Sequence, residues 1–381
     1  MPFDESKAML QESDYARAEK CFNEYSEEFL VPDKIPANVI GMGIGVRYKH
    51  GEPTGEPAMV ALVEQKLGKE FLSKEDLVPS KFGDIPTDVV EVGPVYAGAA
   101  RRSMERSVVS NNGGNYQMTP TYYEEEFQGR VQAPDFFPSQ SQEFTPETLR
   151  NRVRPAKGGY SVGHYQITAG TLGTCAYDIQ PGGVGVPNKY YILSNNHVLA
   201  NSNNARLGDP ILQPGPFDGG TVARDTIARL TRFVPIQFAP AVPLPNQNNL
   251  VDAAIAEGQF HDLDREIYWI GKMRGWKPIS TIRPGLLLQK TGRTTNYTTG
   301  RVTAVRATID VNFGSGRVAR FKDQIVTTNM SAGGDSGSLV STLDNVAVGL
   351  LFAGSSSATI LNYIQHVRNL LRVEVAEQMI L

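Results

Sequence analysis

The sequence predicts a mainly β fold, in which a β-barrel or sandwich domain follows a small α+β domain with an N-terminal helix. Three observations support this prediction. The chain has 381 residues, enough for two to three domains of roughly 150 residues each. Its 37 glycines and 24 prolines exceed the usual combined share of about 12%. Beyond Gly158, short apolar runs alternate with Gly, Pro and Asn residues, which is typical of strands joined by tight turns.

The composition excludes several classes of protein. A net charge of −3 argues against a general nucleic-acid binder, because neutralising phosphates needs a basic surface. No apolar run approaches the roughly 18 residues of a membrane helix, so no membrane partner is expected. The two cysteines, Cys21 and Cys175, lie far apart in the sequence, which favours a reducing compartment over a disulfide framework. The acidic start at Met1 lacks the features of a secretory signal, and the expected location is cytoplasmic.

Residues 1–100 are predicted to form the N-terminal helix and the small α+β domain. From residue 4 to about residue 29, apolar residues recur at three- and four-residue spacing, as on one face of a helix. Pro32 and Pro36 then end the helix. Strands are expected at 39–46, where glycine alternates with apolar residues, and at 58–63 and 89–92.

Residues 101–154 are rich in Asn, Gly, Pro, Ser and Gln and are predicted to be a linker. The alternative is an inhibitory or cleavable pro-segment. Residues 155–381 are predicted to form the β domain, with strands that begin near residues 160, 190, 253, 286, 300, 324, 337 and 346. A short closing helix is expected at 360–371, where Ile360, Ile364, Val367 and Leu371 lie at helical spacing.

The segment Ser331–Ser338 carries a serine between two glycines, Gly334-Asp335-Ser336-Gly337. Glycine on both sides permits a sharp turn that exposes the hydroxyl of Ser336 and leaves backbone N–H groups directed at a ligand. The alternative is an ordinary polar turn.

Two further segments carry groups that can assist such a serine. His197 follows an apolar strand, and Ser194 or Asn195 can cap the short helix that carries it; alone, it could equally be a structural histidine. Asp252 stands inside an apolar strand, where an unpaired carboxylate would cost several kcal/mol. It therefore needs a donor or a cation nearby, which a backbone turn could also supply. The order His197, Asp252, Ser336 is that of one known class of catalytic triad.

Taken together, these segments resemble the trypsin/chymotrypsin-like serine peptidases. Gly334–Gly337 matches the nucleophile motif, 193–197 matches the segment that carries the histidine, and 252–255 resembles the aspartate segment. The whole chain is similar to uncharacterised bacterial peptidases related to the narrow-leaf proteins of plants. The resemblance implies a chymotrypsin-like double β-barrel for residues 155–381.

The sequence departs from the family pattern at several positions. Val198 replaces the usual cysteine after the histidine, and Ser338 replaces the second glycine after the nucleophile. The Ile-Val-Gly-Gly start of activated trypsin is absent, and 158–163 does not match it. We therefore do not expect activation by a newly freed amino terminus.

The resemblance implies the roles of the site residues. Ser336 is the nucleophile, His197 the general base and acid, and Asp252 the group that orients the imidazole. The backbone N–H groups of Gly334 and Ser336 form the oxyanion hole. The chemistry needs no metal or cofactor.

The resemblance also places the primary specificity pocket. Met330 forms its base, and Leu351, Phe352, Ala353 and Gly354 form the opposite wall. Because none of these residues is acidic, a Lys or Arg side chain would be buried without a partner. The expected substrate is a protein or peptide with a small or medium apolar residue at this position.

The sequence therefore predicts a serine endopeptidase. Two alternatives remain, namely a protease-fold binding or scaffold protein with little turnover, and an esterase that uses the same triad. A homo-oligomeric state is left open, and the N-terminal domain is expected to serve in regulation or assembly.

Overall fold

The computed structural model describes residues 5–98, 146–179, 187 and 189–375. The described residues all belong to one compact unit. Most of the predicted linker or pro-segment, including residues 101–145, lies outside the described residues. Among the described residues, none of the helices has the length and hydropathy of a membrane span.

The elements of the described residues are listed here in chain order. The helices are α1 (Glu12–Phe29), α2 (Asn196–Leu199), α3 (Val222–Asp225) and α4 (Ile364–Leu371). The first strands are β1 (Val39–Lys49), β2 (Glu52–Val63), β3 (Lys81–Phe82), β4 (Ile85–Glu91) and β5 (Tyr96–Ala97). There follow β6 (Ala156–Gly158), β7 (Ser161–His164), β8 (Gly170–Thr171), β9 (Thr174–Asp178), β10 (Tyr190–Ser194), β11 (Pro210–Leu212), β12 (Thr226–Phe233), β13 (Ala254–Gly258) and β14 (Leu263–Ile267). The last are β15 (Gly275–Trp276), β16 (Leu287–Gly292), β17 (Asn296–Asn312), β18 (Val318–Thr328), β19 (Leu339–Thr342), β20 (Val346–Gly354), β21 (Ala358–Tyr363) and β22 (Val373–Glu374).

The prediction of a mainly β fold with an N-terminal helix is confirmed. Two large sheets dominate the unit. One has eight strands in the order β22-β9-β10-β13-β12-β11-β7-β8, and the other has twelve, including β16 to β21 and β1 to β5. The strands β6 and β14 form a separate parallel pair. The two large sheets meet over an apolar core that includes Leu193 and Ile255 from the first sheet and Leu339 and Leu350 from the second.

The N-terminal helix forms where the periodicity predicts it, although it starts later. A short 3₁₀ turn covers Glu5–Ala8, and α1 begins at Glu12. The buried face of α1 carries Tyr15, Cys21 and Phe22, which pack in one cluster with Met42 of β1. The helix therefore covers the strands that follow it.

The N-terminal strands continue the sheet of the C-terminal part. The strand β1 pairs with β2 and also with β17, with Gly41 opposite Ile309. The alternating glycines of β1 permit this approach, since a Cβ at Gly41 would overlap the carbonyl oxygen of Thr308. The predicted boundary at residue 100 therefore does not separate two sheets, and the core is continuous across it.

The predicted closing helix at 360–371 is wrong for its first residues. Ile360–Tyr363 belong to the strand β21, which pairs with β18 and β20, and only Ile364–Leu371 form α4. The residues of β21 are all buried. The spacing of Ile360 and Ile364 fits a helix, but two flanking strands supply the backbone partners that make residues 358–363 extended.

Candidate active site

The strand β10 and the helix α2 position His197. Asn195 is the N-cap residue of α2, but its side chain does not cap the helix. Its amide instead donates a hydrogen bond to the carbonyl oxygen of Asp252, at 2.7 Å. The hydroxyl of Ser194 donates to the carbonyl oxygen of Thr171. The predicted capping role of these two side chains is therefore wrong, since Asn195 bonds to the segment of Asp252 and Ser194 to the segment of Thr171.

His197 and Asp252 form a direct pair. The Nδ1 of His197 lies 2.6 Å from Oδ2 of Asp252, and the backbone N–H of His197 donates to Oδ1 at 3.1 Å. The Asp252 side chain is fully buried. Pairing of Ser194 with Ala254 holds β10 against β13 and brings these residues together. The buried carboxylate therefore has the donors that its apolar setting demands.

Ser336 lies in a tight turn that packs against the same region. The carbonyl oxygen of Ser336 accepts a hydrogen bond from the N–H of Thr171 at 2.8 Å. Gly337 has a φ of +98°, and a Cβ there would overlap the hydroxyl of Ser194, so the turn requires glycine. Ser194, three residues before His197, thus contacts the residue that follows Ser336.

The third contact of a triad is not formed in this structure. Among the described residues, the Nε2 of His197 has no hydrogen-bond partner, and this atom is buried. The structure therefore joins His197 to Asp252 and brings the Ser336 turn against the segment before the histidine. It does not link the Ser336 hydroxyl to the imidazole.

A buried ion pair between Lys290 and Asp335 holds the turn that carries Ser336. The carboxylate of Asp335 lies 3.1 Å from Nζ of Lys290 and accepts hydrogen bonds from the N–H groups of Thr294 and Ala332, at 2.8 and 3.0 Å. The hydroxyl and the N–H of Thr295 donate to it as well. Burial lowers the pKa of Lys290, and the negative charge of Asp335 opposes this shift.

Two backbone N–H groups in the turn that carries Ser336 are available to bind a ligand. Within the described part of the chain, the N–H groups of Gly334 and Ser336 donate no hydrogen bond, whereas the N–H groups of Asp335, Gly337 and Ser338 all do. Unpaired backbone donors at a turn are costly unless they meet water or a ligand. These are the two groups that the sequence resemblance implies for an oxyanion hole.

The residues predicted for the specificity pocket lie in apolar surroundings. Met330 and Leu351 are buried in one core cluster, and Phe352 and Ala353 in another. The sulfur of Met330 packs closely against Gly300, since a Cβ on Gly300 would lie only 2.7 Å from this sulfur. Gly354 is partly buried at the end of β20. The side chains of Met330 and Leu351 thus contribute to the core of the twelve-stranded sheet.

Three site residues were not found from the sequence. Lys290 stands in a buried stretch of β16, and the burial argument applied to Asp252 would have found it. Phe313 lies with its ring centroid 6.1 Å from that of His197. Gly98 lies beside the same imidazole, since a Cβ on Gly98 would be 3.4 Å from Cδ2 and Nε2. Neither Phe313 nor Gly98 carries a signal in the sequence.

Comparisons with known proteins give matches in structure alone. No family model matches the sequence, and no curated protein matches it. Among solved structures, the chain is similar to protease A of Thermobifida fusca, with 13% identity and a TM-score of 0.40 over 58% of this chain and 97% of that one. It is also similar to a chymotrypsin of Cellulomonas bogoriensis, with 16% identity and a TM-score of 0.38 over 57% of this chain and 96% of that one. A Nocardiopsis protease gives 16% identity and a TM-score of 0.38 over 57% and 97%. These neighbours are bacterial chymotrypsin-like serine proteases.

Proposed function

We propose that the chain is a serine endopeptidase that cleaves peptide bonds through an acyl-enzyme. The observation that carries the proposal is the 2.6 Å pair between His197 and the buried Asp252, next to a glycine-flanked turn that carries Ser336. A buried carboxylate that orients an imidazole beside a serine is the arrangement that activates a hydroxyl for acyl transfer.

The proposed reaction has two steps. The Oγ of Ser336 attacks the peptide carbonyl carbon while Nε2 of His197 takes the hydroxyl proton. The same nitrogen then gives this proton to the leaving amine as the peptide C–N bond breaks. Water attacks the resulting ester by the same route, which releases the acid and restores Ser336. Because Nδ1 of His197 faces Asp252, the neutral imidazole carries its proton on Nδ1 and keeps Nε2 as the base.

The turn supplies the proposed oxyanion hole. The free N–H groups of Gly334 and Ser336 are placed on either side of Asp335, whose carboxylate is fixed by Lys290 and three backbone donors. Donors fixed before the reaction stabilise the developing negative charge without reorganisation, and one such donor contributes about 3 to 4 kcal/mol. Lys290 would thus act as a positioning residue for the turn.

The preference proposed for the substrate is a small or medium apolar residue next to the scissile bond. It rests on Met330, Leu351 and the other uncharged residues of the predicted pocket, which offer no partner to a cationic side chain. A peptide library cleaved mainly after Arg or Lys would contradict it.

One observation favours a second candidate function, a protease-fold binding protein with little turnover. The buried Nε2 of His197 lacks a hydrogen bond to Ser336, so the structure as it stands cannot transfer the serine proton. A fluorophosphonate reagent separates the two functions, because only an activated serine reacts with it.

The decisive test compares Ser336→Ala with the matched control Ser341→Ala. Ser341 is also buried, and its hydroxyl has no hydrogen-bond partner among the described residues, so its loss should leave the fold and the site intact. We expect labelling and peptide hydrolysis by the wild type and S341A, and a loss of about 10⁴-fold or more in S336A. Undiminished labelling of S336A, or no labelling of the wild type and S341A even after prolonged exposure to the reagent, would refute the peptidase. Parallel assays with ester substrates test the esterase alternative.

We further infer that the chain belongs to the bacterial group related to the plant narrow-leaf proteins and works in a reducing compartment, the cytoplasm. The second inference is supported by Cys21 and Cys175, which are both free and buried.

A further inference from the structure

We propose that residues 92–98 of the chain act as a built-in pseudosubstrate, which occupies the peptide-binding edge of the site and keeps the protein latent. The inference rests on the proposed peptidase function and adds its regulation. It depends on the short strand β5, which the sequence analysis did not predict.

The first observation concerns the edge that β5 occupies. The strand β20 is hydrogen-bonded to the turn that carries Ser336. The N–H of Gly337 donates to the carbonyl oxygen of Leu351 at 2.8 Å, and the N–H of Leu351 donates to the carbonyl oxygen of Ser338. Beyond Leu351, β20 pairs with β21 on one side. On its other side, Ala353 lies opposite Ala97 and Gly354 opposite Tyr96, in antiparallel pairing. An extended peptide binds most readily by adding a strand to such an edge.

The second observation is the direction of the segment. The chain runs from Tyr96, opposite Gly354, through Ala97 to Gly98 beside the imidazole of His197. A Cβ on Gly98 would lie in van der Waals contact with Nε2, at 3.4 Å. The segment thus follows the edge of β20 towards the catalytic residues, as the acyl part of a peptide substrate would have to do.

The third observation is the state of the base. The side chain of His197 is only 10% exposed, and its Nε2 is buried without a hydrogen bond. Gly98 lies against this imidazole, and the ring of Phe313 lies edge-on to it at a centroid distance of 6.1 Å. A general base needs access to the proton that it takes, so the covered imidazole corresponds to an inactive state.

The segment is anchored to the fold just before β5. Val95 is buried, with 3% of its surface exposed, in the cluster that contains Phe352, and its carbonyl oxygen accepts a hydrogen bond from the N–H of Asn312 at 3.0 Å. The hydroxyl of Ser355 donates to the carbonyl oxygen of Val92. A substrate must displace the part of the segment that pairs with β20, and the fraction of molecules with a free edge sets the apparent affinity.

The test compares two double variants of β5. In Y96P/A97P, proline removes both backbone N–H donors and prevents pairing. In the matched control Y96S/A97S, the same side chains are lost but both donors remain. We expect at least about tenfold faster fluorophosphonate labelling and a correspondingly higher kcat/KM for the proline variant, with wild-type values for the serine variant. Equal labelling rates and equal kcat/KM values in Y96P/A97P and Y96S/A97S would overturn the inference and leave the proposed peptidase function unaffected.

A binding assay separates failure of the inference from failure of the peptidase. With S336A added to both variants, a fluorescent heptapeptide that copies residues 92–98 should bind the proline variant at least about tenfold more tightly. Equal affinity, or no binding to either protein, would overturn the inference whether or not the chain is a peptidase. Thermal unfolding shows whether the proline variant folds. If it does not, hydrogen exchange on the wild type decides, because amides of Tyr96 and Ala97 that exchange as fast as in the free heptapeptide would also overturn it.

Discussion

The ammonium of Lys290 lies 3.1 Å from the carboxylate of Asp335, and neither side chain reaches solvent. Lys290 stands on β16 and Asp335 directly precedes Ser336, so this ion pair connects the twelve-stranded sheet to the turn that carries Ser336. Separating two buried charges by removing one of them is far more costly than the pair is stabilising, because the remaining charge stays in a medium of low dielectric constant.

Replacement of Lys290 by methionine is therefore expected to lower the free energy of unfolding by about 3 to 5 kcal/mol. Chemical denaturation measures this loss. The exposed Lys272 offers the control Lys272→Met, for which we expect a change within about 0.5 kcal/mol. Equal stability of the two variants would show that the pair does not hold the turn.

The second prediction concerns Asp252→Asn. An amide keeps the shape of the carboxylate but can direct an N–H at Nδ1 of His197, which favours the wrong tautomer of the imidazole. We expect kcat for peptide hydrolysis to fall by about 10⁴-fold, with little change in thermal stability. The exposed Asp344 provides the control Asp344→Asn, which should retain wild-type kcat. A D252N variant that retains most of the wild-type kcat would exclude the proposed role of Asp252.

The third prediction concerns the thiols. Cys175 is completely buried, and burial raises its pKa far above the usual value. Burial also raises the pKa of Cys21, whose thiol donates to the carbonyl oxygen of Phe82. Since only the thiolate reacts, we expect no titration by a disulfide reagent in the native protein at pH 8 and two thiols per chain after denaturation. Fast reaction of either cysteine in the native protein would contradict its described environment.

The fourth prediction tests the continuity of the large sheet. Gly41→Ala places a methyl group against the carbonyl oxygen of Thr308 and should force β1 and β17 apart at this position. We expect a loss of about 1 to 3 kcal/mol, as is typical of overpacking. The control is Gly68→Ala, where the new methyl group meets the flexible end of Glu70. Because the core is shared, G41A should still unfold in one transition, whereas separate domains would give two.

Most of the predicted site residues could be identified from short sequence motifs. The turn around Ser336 and the strand-to-helix segment of His197 are short, and their residue types reflect their own backbone. Asp252 could be singled out because a carboxylate in an apolar segment requires a partner, although the strand β13 begins only at Ala254. The partner itself, His197, followed from the order of the segments and the resemblance they carry.

The parts of the fold and of the site that the sequence did not predict depend on contacts between distant segments. The glycines of β1 indicated a close approach, but nothing near them points to β17, which lies about 260 residues further along the chain. Ile360 and Ile364 satisfy a helical period, and only the neighbours β18 and β20 make the first of them part of a strand. The position of Gly98 beside His197 likewise depends on how β5 is inserted between β17 and β20.

The pairing of β1 with β17 limits the ways in which the proposed inhibition could be relieved. Excision of everything before β5 would leave β17 with a long row of unsatisfied amide and carbonyl groups, which invites aggregation. An ordinary zymogen loses its N-terminal segment on activation. Here the N-terminal strands β1 to β4 are part of the twelve-stranded sheet. If residues 92–98 block the site as proposed, relief should therefore come from release of these few residues while the rest of the amino-terminal portion stays in place.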